Sequence, residues 1–352
     1  MAEVKIYGIG SGGSVGTCPI MVIGTGAFST QRCGAFNSAS GDYSMAWGKC
    51  ATPSGDYSTA SGYCTTASCD HSTASGICTT ASGYQSTASG ICTTASGDFS
   101  TASGLSTTAS SYYSTASGVR TTASCNYSTA SGRDTISSGI YSTASGYCTT
   151  ASCDHSTASG AQTTASGYYS TASGVRTTAS GNYSIASGTN TTASSSFSIS
   201  RGLFACASQV GQRSWANGSF SNLAPDAQQV QYLLRNITTS ASTPLYLYMD
   251  GISEEISIKL NSVMMLNINT VGIETDGAPV GSSQNYVVVK NVAGTTTIIH
   301  QNVIASHFGA VGLAITISAN DTTDTLRIQV TGTNNAMRWV SYVNAVEVLY
   351  AT

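Results

Sequence analysis

From Gly41 to Ser208 the chain repeats every fourteen residues, and no other feature of its 352 residues narrows the fold so far. The copy from Gly55 to Ser68, GDYSTASGYCTTAS, is representative, and each copy is two related heptads, G-x-x-S-T-A-S and G-x-x-T-T-A-S. A helical heptad needs large apolar residues at its a and d positions. The recurring residues here are Ala, Ser, Thr and Gly, with a Gly every seven, which excludes a helix on propensity and on core volume. Alternation along S-T-A-S instead places Ser58 and Ala60 on one face of a short strand and Tyr57, Thr59 and Ser61 on the other, with Gly62 free to take the turn that ends it. Two strands and two turns per fourteen residues make one coil of a parallel β-solenoid, here a β-roll.

The small face, Ser58 and Ala60 with Thr65 and Ala67, implies a narrow interior filled by methyl groups and by hydroxyls that bond to neighbouring backbone. Such a roll buries little apolar surface. At ~25 cal/mol per Å² it hardly offsets about 1.5 kcal/mol of ordering entropy per residue, so association between chains is expected. The third position of the repeat offers an interface, being Tyr43, Tyr57, His71, Gln85, Phe99, Tyr113, Tyr127, Tyr141, His155, Tyr169, Tyr183 and Phe197. The tenth holds Cys50, Cys64, Cys78, Cys92, Ser106, Arg120, Asp134, Cys148, Gln162, Arg176, Asn190 and Phe204, and it accepts both charge signs as a solvent-facing column does. The expectation is a ladder along the symmetry axis made by Tyr57, Phe99, Tyr113, Tyr127, Tyr141, Tyr169, Tyr183 and Phe197, with the tenth column in water. Twelve coils at about 4.8 Å would give a shaft of about 60 Å.

Composition removes several function classes. Only 8% of the chain is charged, with thirteen Lys and Arg against sixteen Asp and Glu, so there is no basic face for phosphates and nucleic acid is not an expected partner. The apolar run from Pro19 to Ile23 is too short for a signal-peptide core or a membrane span; no signal peptide and no membrane insertion are expected, and the chain would reach a virion or the exterior after cytoplasmic synthesis. Eleven cysteines, mostly at equivalent repeat positions, read as free thiols. His71 and His155 are the candidate metal ligands, because rotational symmetry would gather their copies at one axis. The alternative is that His replaces Tyr in the ladder, and the lack of H-x-H or C-x-x-C spacing favours it. Asp42, Asp56, Asp70, Asp98, Asp134 and Asp154 are scattered rather than paired, most of them in turns, which fits Asx-type hydrogen bonding better than glycoside hydrolysis. No catalytic residue and no cofactor site are expected. Columns of threonine such as Thr59, Thr66, Thr73 and Thr80 also raise an ice-binding solenoid, and the repeat raises a self-assembling cell-surface filament; both rank below a fibre.

The period breaks over residues 209–223, and Pro225 punctuates the chain. The expected organisation is an N-terminal attachment or cap region at 1–40, the roll at 41–208, a linker at 209–224 and a β-rich tip or trimerisation domain at 225–352. In the last, alternating or β-branched runs separated by Gly, Asn and Asp predict an antiparallel sandwich or small barrel.

The fourteen-residue pattern of S-x-A-x-G units resembles the head of YadA-type trimeric autotransporter adhesins. Gly97–Gly104 and Thr107–Ala109 are similar to the GDYS-x-A-x-G and TTASG repeats of phage and prophage tail-fibre proteins. Asp226-Ala227-Gln228, Tyr232 to Arg235, Thr238-Thr239, Leu245 to Leu247 and Asp250-Gly251 resemble the D-A-Q, Y-x-L-R, T-T and L-x-L-D-G series that opens the C-terminal domain of such fibres. Leu326 to Gly332, Arg338 to Val340 and Val346 to Val348 resemble its closing L-x-I-Q-V-T-G, R-W-V and V-E-V strands. The resemblance implies an all-β chain, a left-handed parallel β-roll that trimerises, and a tip for host attachment. Its implied partners are two further copies of the chain, a virion or appendage base protein at the N-terminus, and a host-surface glycan or protein at the tip.

Overall fold

The computed structural model describes residues 22–32, 36–219, 226–239, 243–278 and 280–350. Among these there is no helix, and hence none long and apolar enough to cross a membrane. Most of the 1–40 segment, Pro225 and the rest of 220–225 lie outside the described residues. The chain divides into two compact units, residues 1–165 and 166–352.

In the first unit, five-residue strands recur from Met45–Lys49 to Thr157–Ala161, each pairing in parallel with its equivalent one coil on, Thr59 with Thr73 and Gly62 with Gly76. Two-residue strands such as Thr66–Ala67 pair in a second parallel ladder. Val22–Ile23 and Thr30–Gln31 form an antiparallel pair, and Thr30–Gln31 joins the first coil in parallel. The second unit continues the pattern from Thr171–Val175 to Arg213–Asn217, the last rung falling within the segment read as a linker. The whole is a parallel β-solenoid of about 13 turns followed by antiparallel sheets.

The interior is as narrow as the repeat implies: Ser58, Ala60, Thr65 and Ala67 and their equivalents are fully buried. The two hydroxyl columns differ, although Ser44, Ser58, Ser86, Ser100 and Ser184 share the threonines' lack of a partner for Oγ. Ser72, Ser114, Ser128, Ser142, Ser156 and Ser198 donate to the carbonyl three residues back at 2.5–2.6 Å. Thr65, Thr79, Thr93, Thr107, Thr121 and their successors to Thr191 have buried Oγ1 atoms with no partner, so the expected bond to backbone does not form there. Gly62 also departs from its expected place. It lies inside the strand Thr59–Tyr63 at φ +132°, and a Cβ on it would come within 1.9 Å of the Gly76 carbonyl oxygen. Glycine is needed there for close approach of successive coils, not for a turn.

The C-terminal part of the second unit is a sandwich. Ala227–Thr238, Met337–Leu349, Ser262–Glu274, Val280–Val292 and Thr295–Phe308 form one antiparallel sheet, joined at its edge by Arg213–Asn217. Ala314–Asn320, Thr325–Thr331 and two short strands form the other. Alternate residues of the large sheet, among them Tyr232, Leu234, Met264, Leu266, Ile268, Trp339 and Val343, pack on Leu326, Ile328, Val330 and Leu247 in one core. The motifs that carry the resemblance are structural here. The Trp339 indole donates to Thr238 Oγ1 at 3.0 Å, with Gly272 and Gly281 pressed against its ring. Arg235 packs over Gly251 and donates to the Asp250 carbonyl at 3.3 Å. Glu347, 1% exposed, accepts from Gln228 at 2.6 Å and from Lys259 at 2.8 Å.

Candidate functional site

The roll gives every coil two corners, and the side chains at them are the most regular features of its surface. At the third and tenth positions the backbone is left-handed, φ 52–59° and 52–65° respectively, although none of these residues is glycine. Such a conformation is costly for an aromatic residue and persists because the ladder over-determines it. The Tyr57 amide donates to the Asp42 carbonyl at 2.8 Å and the Cys64 amide to the Lys49 carbonyl at 2.9 Å, each to the coil before. The third-position side chains therefore stand at a corner ahead of the first strand, not on the outer face of that strand where simple alternation places Tyr57.

From these corners the rings stack along the roll. In the first unit the runs are Phe28–Tyr43–Tyr57–His71 and Phe99–Tyr113–Tyr127–Tyr141–His155, separated by Gln85; in the second, Tyr169–Tyr183–Phe197. Centroids are 4.7–5.5 Å apart and planes within 20° of parallel. Ring faces are consumed by neighbouring rings, so edges and hydroxyls point outward. This suits packing against another ridge and does not suit stacking on the flat face of a sugar. Tyr57 remains 55% exposed and Phe197 60%, whereas Phe99 is partly covered by the edges of Tyr84 and Tyr112. His71 and His155 are rungs of this ladder, and among the described residues no three metal-ligating side chains converge on one point.

The second-position acids have a different task from the local turn bonds expected of them. Asp42, Asp56, Asp70, Asp98 and Asp154 each accept, at 2.8–2.9 Å, the amide of the equivalent residue one coil earlier, as Asn182 does at 3.0 Å. They staple coil to coil. Asp134, at the tenth position, instead takes a bidentate contact from Arg120, which lowers its pKa.

Two apolar surfaces escaped the sequence reading. The ninth position, which also holds Lys49, Arg133 and Thr189, carries Tyr63, Ile77, Ile91, Leu105, Tyr147 and Val175, all 42–47% exposed and recurring at the fourteen-residue spacing. The outer face of the large C-terminal sheet exposes Leu233, Met265, Val271, Val340, Tyr342 and Val346. A belt of amides crosses it, with Gln229 donating to Asn344 at 3.0 Å. The signal was a near-continuous apolar run in strands of an antiparallel sheet, where one solvated face would alternate. A cavity of about 620 Å³ beside this face is lined by Arg213, Leu233, Arg235, Met249, Tyr342 and Phe197.

Residues 54–77, 81–107, 95–121, 109–135, 137–163, 151–177, 165–191 and 179–200 match the YadA head domain repeat. The matched segments lie within the roll and cover less than half of the chain. The matched residues include the buried serines and alanines of the interior and the residues of both corners. No curated protein matches the sequence. Among solved structures, the tailspike protein gp49 of Acinetobacter baumannii bacteriophage Fri1, a capsular polysaccharide depolymerase, aligns with 89% of this chain and 69% of its own at 9% identity and a TM-score of 0.24. The tailspike of Acinetobacter baumannii phage AM24 aligns with 89% of this chain and 58% of its own, at 9% identity and a TM-score of 0.22. At these scores the likeness does not reach a shared overall fold, and no activity follows from it.

Proposed function

We propose that the chain is a subunit of a homotrimeric virion fibre or spike, with the YadA-type roll as its shaft and the C-terminal sandwich as its tip. The observation that carries this is the aromatic ladder. A single roll spends left-handed backbone at every third position to hold large rings in register, then leaves them about half exposed. Three rolls packed side by side would bury Tyr57, Phe99, Tyr113, Tyr127, Tyr141, Tyr169, Tyr183 and Phe197 near a common axis. The exposed apolar face of the C-terminal sheet would meet its copies in the same assembly and hold the three chains in register.

On this reading the protein has no catalytic role. The second-position acids of the roll, Asp56, Asp70 and Asp154 among them, are engaged by backbone amides of adjacent coils. The N-terminal region joins a particle, and the tip contacts a glycan or protein on a host surface, three weak contacts adding through avidity. The site of action is the virion or the cell exterior. Sedimentation of the full-length chain beside a Tyr113→Ser/Tyr127→Ser/Tyr141→Ser variant tests the reading. A trimer that dissociates in the variant, with the β-rich circular dichroism kept, supports it; an unchanged mass in the variant removes the ladder from the interface.

A further inference from the structure

Four consecutive coils carry cysteine at the tenth position, Cys50, Cys64, Cys78 and Cys92, in one shared backbone conformation with φ between 52° and 57°. That conformation does not ask for cysteine. Left-handed residues other than glycine are enriched in Asn and Asp, and the same corner elsewhere accepts Ser106, Arg120, Asp134, Gln162 and Asn190. The backbone holds the four in step: the Cys64 amide donates to Lys49, that of Cys78 to Tyr63 and that of Cys92 to Ile77, at 2.8–2.9 Å. The flanking strands pair without any shift of register. Cys78 and Cys92 are exposed, Cys50 and Cys64 partly so, and all four are free thiols. Neighbouring sulfurs sense one another. Desolvation first, then the neighbouring Cys92 and Cys64, raise the pKa of the Cys78 thiol.

The spacing decides what such a column can do. Equivalent atoms of paired strands stand about 4.7–4.9 Å apart, and parallel Cα–Cβ bonds carry that separation to the Cβ atoms. A disulfide wants Cβ atoms about 3.5–4.5 Å apart, so successive coils would have to be drawn together. A metal ion between two sulfurs, at about 2.3 Å from each, spans about 4.6 Å and needs no such movement. With no third ligand converging among the described residues, the ion must accept two sulfurs alone, and soft thiolate ligands select soft ions.

We propose that the Cys50–Cys64–Cys78–Cys92 column binds soft monovalent cations of the copper(I) or silver(I) class, each held between the sulfurs of two successive coils. Binding releases two thiol protons per ion, leaves a bis-thiolate of net charge minus one, and changes no oxidation state. The site is independent of the trimer reading, and Cys148 is its internal control: same corner, same conformation, with Asp134 and Gln162 as column neighbours in place of cysteines.

The test uses reduced full-length protein in chloride-free buffer, silver nitrate as the probe, and a challenge with excess glutathione before native mass spectrometry. Two silver ions per chain should survive the challenge, none should be lost in Cys148→Ser, and both should be lost in Cys50→Ser/Cys64→Ser/Cys78→Ser/Cys92→Ser. Serine already stands at this corner as Ser106, so the fourfold variant should fold, as circular dichroism would verify. Release of all silver from the unaltered protein to glutathione, or equal retention by the fourfold variant, overturns the proposal.

Discussion

A paired and an unpaired hydroxyl inside the roll should respond to substitution with opposite signs. Thr121 is fully buried and its Oγ1 has no partner, so folding strips that hydroxyl of water and returns nothing. Thr121→Val keeps the shape and removes the unpaired group. A buried unsatisfied hydroxyl costs about 1–3 kcal/mol, and the variant should be more stable by about that amount. Ser128, equally buried, donates from Oγ to the Cys125 carbonyl at 2.5 Å, so Ser128→Ala should cost about 1 kcal/mol. With an m-value of about 2–3 kcal/mol/M, the valine variant moves the urea midpoint up by about 0.3–1.5 M and the alanine variant moves it down. Urea titration followed by far-ultraviolet circular dichroism reads both. Destabilisation by Thr121→Val would mean that the threonine hydroxyls are bonded, and the interior described above would be wrong.

Other parts of the fold make equally definite predictions. Gly272→Ala should cost about 1–3 kcal/mol, since its Cβ would sit 2.3 Å from the ring of the fully packed Trp339, and Trp339→Phe should relieve part of that cost in a double-mutant cycle on urea midpoints. Asp56→Asn should be nearly silent in thermal melting because it keeps the acceptor for the Asp42 amide, whereas Asp56→Ala should cost about 1 kcal/mol. For Asp250, desolvation pushes the carboxyl up, but hydrogen bonds from the Glu254, Ile252 and Ser253 amides and the Ser253 hydroxyl outweigh it and hold the group at about 2. A folded value below the ordinary 3.8 stabilises the loop above about pH 4, and that contribution is lost as pH falls from about 4 through 2. Hydrogen-exchange protection of residues 250–254, taken relative to the intrinsic rate at each pH, should fall over that window, and Asp250→Asn should abolish the dependence.

The roll was legible in the sequence because its interior admits so few residues. Ser58, Ala60, Thr65 and Ala67 recur at a strict spacing, and a cavity that narrow writes itself directly into composition. The corners were not legible. Left-handed backbone at Tyr57 and Cys64 contradicts the local preference of both residues, and only coil-to-coil hydrogen bonding explains it, a long-range cause hidden from a local reading. Asp56 was misread for the same reason: its partner is fourteen residues away in sequence and adjacent in space. In the sandwich, alternation pointed to strands with one buried face, which Tyr232, Leu234 and Leu266 supply. The exposed face with Met265, Val271 and Val340 was hidden because those strands are apolar on both faces, which blurs the alternation that separates core from surface.

The most direct test of the account is the solution mass of the full-length chain by light scattering, with negative-stain imaging of the same fraction. A mass three times the chain's 35.8 kDa, with short rods bearing a knob at one end, is the predicted result. A monodisperse monomer with the ladder still solvent-exposed would contradict it.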